Sequence, residues 1–144
     1  MTLAEHETDN IDKTERALCV LVVDDSPIMR KMVIHSLKMA KIELSCIEQA
    51  AHGGEALEVL ARVTPDLVLC DVHMPSMDGL AFVRALAQSG RIATLPVVMI
   101  SSERNDAAQS ELEGLGARAF LHKPFYPEAL GQLIRTVLTQ KEAS

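Results

Sequence analysis

The chain is poor in aromatic residues, with three Phe and one Tyr, and it has no excess of positive charge: 14 Lys and Arg stand against 20 Asp and Glu. Nucleic-acid binders carry a basic patch or stripe to meet the phosphate backbone, so direct DNA or RNA binding is not expected. Long apolar runs are missing as well. Hydrophobic residues make up 48% of the sequence but fall in short runs, none near the ~20 consecutive residues that cross a bilayer. The opening MTLAEHETDNIDKTER is polar and acidic and lacks the basic-then-apolar order of a secretory signal. Residues 1–16 are therefore expected to form a disordered acidic tail on a cytoplasmic protein, with no membrane partner. Cysteine is scarce and odd in number, Cys19, Cys46 and Cys70, with no C-x-x-C pair. Set in apolar runs, the three are expected to be buried free thiols rather than a metal or redox site.

What the chain does have is regular alternation. Five apolar runs of strand length lie at 17–23, 42–50, 66–70, 96–100 and 117–121. Amphipathic stretches separate them. Ser26 suits a helix N-cap and Pro27 a first helical turn. Leu130, Leu133, Ile134, Val137 and Leu138 fall on one helical face, and further helices are expected over about 54–62, 79–89 and 104–113. Gly53-Gly54 lacks the rest of a phosphate-binding motif and is expected to be a turn before the second helix. A chain of 144 residues can bury one core unaided, so a single domain over 17–140 is expected, with a short C-terminal tail at 141–144.

Continuous apolar strands alternating with helices indicate an α/β fold, a doubly wound five-stranded parallel sheet flanked by five helices. Right-handed crossovers leave two common strand orders. In the 2-1-3-4-5 order, taken from known doubly wound sheets rather than derived from spacing, strands 1 and 3 meet at the switch point where ligands bind. The strand ends VVDDSP and LCDVHMP then bring Asp24, Asp25 and Asp71 around one crevice. Three carboxylates repel one another unless a cation offsets them, and an all-oxygen donor set favours Mg²⁺. Strand 4 ends in MISSE and strand 5 runs into HKPF, which adds the Ser101 hydroxyl and the Lys123 ammonium to the same edge. A hydroxyl, an ammonium and a metal around a carboxylate suit transfer of a phosphoryl group to that carboxylate, with Asp71 as nucleophile.

VVDDSP, DVHMPSMDG, MISS and FLHKPF, in this order, resemble the receiver domain of two-component response regulators, and VDDSPIMRKMV is similar to the first strand and helix of its stand-alone, CheY-like chemotaxis members. The resemblance implies that Asp71 accepts a phosphoryl group from a sensor histidine kinase or histidine phosphotransfer protein. It implies Mg²⁺ held by Asp24, Asp25, Asp71 and the backbone carbonyl of His73. Ser101 and Lys123 would contact phosphoryl oxygens, and the Lys123–Pro124 bond would be cis. Ser101 and Phe120 would act as the switch pair that alters the surface of helix 4, strand 5 and helix 5 for a downstream target protein. His73 and Glu103, at the rim, would tune the lifetime of the phosphoryl group. Such a protein is a monomer or a phosphorylation-dependent dimer, and it is no enzyme beyond its own phosphorylation and dephosphorylation.

Rival readings are a phosphorelay intermediate, a phosphorylation-independent adaptor and a Mg²⁺-dependent aspartyl-phosphate phosphohydrolase. The phosphohydrolase needs a second Asp two residues after the nucleophile, where this chain has His73. The adaptor reading expects loss of Asp71, Lys123 or the acidic pair, all of which are present.

Overall fold

The computed structural model describes residues 16–74, 78–102 and 105–143. Its elements alternate strand and helix: β1 Leu18–Val23, α1 Pro27–Met39, β2 Leu44–Ala50, α2 Gly53–Leu60, β3 Leu67–Asp71, α3 Gly79–Gln88, β4 Val97–Ser101, α4 Asp106–Leu115, β5 Ala119–His122 and α5 Pro127–Ala143. A 3-10 turn, Arg91–Ala93, leads into β4. All strands are parallel, in the order β2-β1-β3-β4-β5.

The central strands are central because they are apolar on both faces. Every residue of LVLCD in β3 and of VVMIS in β4 is buried, the signature of a sheet covered on two sides. Alternate residues feed two core layers. Leu21, Val23, Val68, Cys70, Val97 and Met99 meet Phe82 and Leu86 of α3 and Leu112 of α4. On the other face, Val20, Val22, Leu67, Leu69, Val98 and Ile100 meet α1 and α5 through residues such as Leu37 and Ile134. Among the described residues, no helix is long and apolar enough to cross a membrane.

Several boundaries differ from those expected, each for a local reason. β2 begins at Leu44 and not at 42. Lys41 takes a positive φ of 63° and the Ile42 amide donates to Leu37, so buried Ile42 closes α1 before the strand starts. Gly53 and Gly54 are the first residues of α2 and not a turn, because the His52 ring accepts the Glu55 amide and caps the helix; α2 then ends at Leu60, short of 62. Asn105 caps α4 by accepting the Ala108 amide, which moves that helix from 104–113 to 106–115. Its end reaches further too: Ala117 donates to Leu112 across Gly116, whose φ of 120° suits glycine, so β5 starts at Ala119 and not at 117. Ser26 does cap α1, accepting the Met29 amide at 3.2 Å.

Of the three thiols, only Cys70 is buried; Cys46 is half-exposed on the edge strand β2, and Cys19 is half-exposed near the start of β1 beside it.

Candidate functional site

The carboxyl ends of β1 and β3 deliver three acids to one crevice. Asp24 follows β1, and its amide donates to Ala50 at the end of β2, which extends the pairing by one residue. Its carboxylate does two things at once. Oδ1 accepts the Ser26 amide at 2.9 Å, tying the acid to the start of α1, and Oδ2 faces Lys123 Nζ at 3.3 Å. Arg30 of α1 reaches back to the Asp24 carbonyl at 2.6 Å. Asp25 is exposed at the lip of the crevice, while Asp24 and Asp71 are only 4% and 9% exposed. One carboxylate oxygen from each of Asp24, Asp25 and Asp71 lies within 4.8 Å of the others.

Asp71 is the last residue of β3, one position later than the strand expected at 66–70. The sheet therefore holds its backbone while its carboxylate meets the crevice. Lys123 Nζ lies 3.7 Å from its Oδ1, so one ammonium bridges the acids of β1 and β3. Lys123 is in turn held by its amide, which donates to the Ser101 carbonyl at 2.8 Å, and its bond to Pro124 is cis, as expected.

Burial pushes the Asp71 carboxyl above its ordinary value of 3.8, and Asp24 and Asp25 push the same way, against Lys123 and a backbone hydrogen bond from His73. An acid with a raised folded value binds its proton more tightly in the native chain than in the unfolded one. The ionised carboxyl then costs stability above its folded value, and that cost disappears as the pH falls below the unfolded value of about 3.9. Without divalent metal, Asp71→Asn is expected to melt at a higher temperature than the wild type at pH 7, and the gap should close on acidification; paired melts across pH check this.

Gly79 is the first residue of α3. Its amide donates to the Val72 carbonyl at 2.9 Å, which folds the segment after Asp71 back onto the strand end. Asp78 before it caps α3, accepting the Ala81 amide at 2.9 Å. DVHMPSMDG thus closes from a strand-end acid to a helix cap, although Pro75, Ser76 and Met77 lie outside the described residues.

Ser101 ends β4, buried at 8% exposed, and Phe120 on β5 is half-buried against the α3–α4 core layer. They line a common cavity of about 20 Å³ with Val72, Asn105, Ala108 and Leu112, room for about one water. His73 is exposed and borders both this cavity and the open cleft beside Asp25, Met74 and Asp78. Glu103 lies outside the described residues.

This architecture has known relatives, and the match is to one family. The response regulator receiver domain family is matched over residues 20–135, and the chain belongs to it. It is similar to the solved chemotaxis protein CheY4 of Vibrio cholerae, at 39% identity and a TM-score of 0.74 over 85% of this chain and 100% of that one. A protein-glutamate methylesterase/protein-glutamine glutaminase of Nocardioides sp. is 37% identical over 124 residues, 86% of this chain and 33% of that protein. Response regulator Rre1 of Synechocystis sp. is 33% identical over 130 residues, 88% of this chain and 54% of its own length. The chain thus spans about a third to a half of the length of these two curated relatives.

Proposed function

We propose that the receiver domain, residues 17–140, works as a response-regulator module in which Asp71 accepts a phosphoryl group from a histidine kinase or histidine phosphotransfer protein. The convergence of the Asp24, Asp25 and Asp71 carboxylates on one side with the Lys123 ammonium is the observation that carries this reading. An ionised Asp71 oxygen attacks phosphorus as the bond to the donor histidine breaks. Lys123 neutralises negative charge gathering on the phosphoryl oxygens, and the Ser101 hydroxyl binds one of them.

The oxygen-only donor set of Asp24, Asp25 and Asp71, with the His73 carbonyl, suits Mg²⁺, which when bound supplies positive charge to the phosphoryl oxygens. Metal removal gives the test. With Mg²⁺ and acetyl phosphate, intact mass is expected to show one added phosphoryl group, and a chelator added before the donor is expected to prevent that uptake; uptake that ignores the metal would contradict the reading.

The output follows from the phosphoryl group binding one conformation better than the other. Bonded to the phosphoryl group, Ser101 draws toward Asp71, and Phe120 moves into the space they share, which changes the α4-β5-α5 surface offered to a target protein. The likeness to CheY4 favours a target in chemotaxis or motility and a cytoplasmic setting. Exposed His73, two residues beyond the acceptor, together with Glu103, controls the approach of water to the acyl phosphate. His73→Asn is expected to change the phosphoryl lifetime several-fold while leaving uptake intact, as read by the decay of the phosphorylated mass after donor removal.

A further inference from the structure

Among the described residues, β2 is an edge strand, paired only with β1. In that pairing Cys19 stands opposite Cys46, just past a register shift between Leu18 and Cys19. Side chains alternate across a strand, so Cys19 shares its face with Leu21 and Val23, and Cys46 shares its face with Ala50. Those three neighbours all belong to the same core layer, which puts both thiols on one side of the sheet. Both are half-exposed. Adjacent strands run about 4.8 Å apart, inside the roughly 4.4–6.8 Å between Cα atoms that a disulfide spans. Cys70 is different: it is buried on β3, opposite Val23 and Met99.

We propose that Cys19 and Cys46 form a dithiol modification site, converted by peroxides to an intrachain disulfide that staples the edge strand to β1. The Cys46 sulfur attacks one peroxide oxygen; the O–O bond breaks, and Cys46 becomes a sulfenic acid as water leaves. Glu48, whose Oε2 lies 3.7 Å from the Cys46 sulfur, takes the thiol proton and passes it to the departing hydroxide. The Cys19 sulfur then displaces hydroxide from the sulfenic sulfur, the S–S bond forms, and the Cys19 proton leaves with that hydroxide as a second water. Two thiols are oxidised and one peroxide is reduced to two waters. Cys46 reacts first because burial and its thiol neighbour push Cys19 up to about 12, so Cys19 keeps its proton.

The site lies at the opposite end of β1 from the acid cluster, five residues or roughly 16 Å of strand from Asp24. Its chemistry is therefore independent of phosphoryl transfer.

The test treats the reduced full chain with hydrogen peroxide and measures intact mass, thiol content after denaturation and tryptic peptides. The three cysteines fall in three separate tryptic peptides, 17–30, 42–62 and 63–84, so any link is assigned directly. The expected result is a monomer lighter by two hydrogens, with thiols falling from three to one, a 17–30/42–62 link, and reversal by dithiothreitol. Cys46→Ser should abolish the link and Cys70→Ser should keep it. Bridges that include Cys70, disulfides between chains, or sulfur oxidation without a bridge would each overturn the proposal.

Discussion

Asp71→Asn is expected to take up no phosphoryl group from acetyl phosphate at any Mg²⁺ concentration, while folding normally. The amide keeps the shape of the carboxylate but has no anionic oxygen to attack phosphorus, so the chemistry is lost outright rather than slowed. Asp71 is also the acid of the cluster that belongs to a strand, as the last residue of β3, with its carboxylate 3.7 Å from Lys123. Neither Asp24 nor Asp25 can replace it. Asp24 is already engaged by the Ser26 amide and Lys123, and Asp25 sits exposed at the lip. Intact-mass measurement of the variant beside the wild type checks this, with circular dichroism to confirm folding. Uptake by the variant would mean that another side chain accepts the group.

Gly79→Ala is expected to carry the largest stability effect of any single added methyl near the site. A Cβ there would lie 2.5 Å from the Asp71 carbonyl oxygen and 2.9 Å from both the Val72 Cα and the Met99 Cε. Met99 is flexible, but the other two contacts are backbone, at the last residue of β3 and the residue just after it. Space, not a left-handed backbone, is what glycine provides at this position. Forcing the two segments apart costs about 2–3 kcal/mol, which for a domain of this size lowers the melting temperature by roughly 10 °C. The same displacement moves Asp71, so phosphoryl uptake should slow as well. A variant that melts and reacts like the wild type would show that α3 does not press on the strand end.

Most of the scaffold could be read directly, because burial on both faces leaves an unbroken apolar run. β1, β3 and β4 were visible for that reason, and so was the acid, hydroxyl and ammonium set, since each member sits at or just after a strand end. Boundaries set by hydrogen bonds were less visible. Apolar Ile42 reads as strand but closes α1, and Asn105 and His52 cap helices whose starts composition alone does not mark. Two features needed three dimensions. The Asp24–Lys123 pair joins residues 99 positions apart. Cys19 and Cys46 meet only through the β1–β2 register, so a pairless reading of the cysteines placed both inside the core. The Asp78-Gly79 step reads as a turn beside the site, but the close approach of Gly79 to Asp71 and Val72, through its amide and its missing Cβ, needs the folded backbone.

The central claim is that phosphorus becomes bonded to one particular oxygen-bearing side chain. The most direct measurement is to phosphorylate the wild-type chain with acetyl phosphate and Mg²⁺, reduce the acyl phosphate with borohydride to homoserine, and locate the converted residue by sequencing the 17–30 and 63–84 tryptic peptides. The account predicts homoserine at position 71 and nowhere else. Homoserine at Asp24, Asp25 or Asp78, or a phosphoryl group that resists borohydride because it sits on Ser or His, would contradict it.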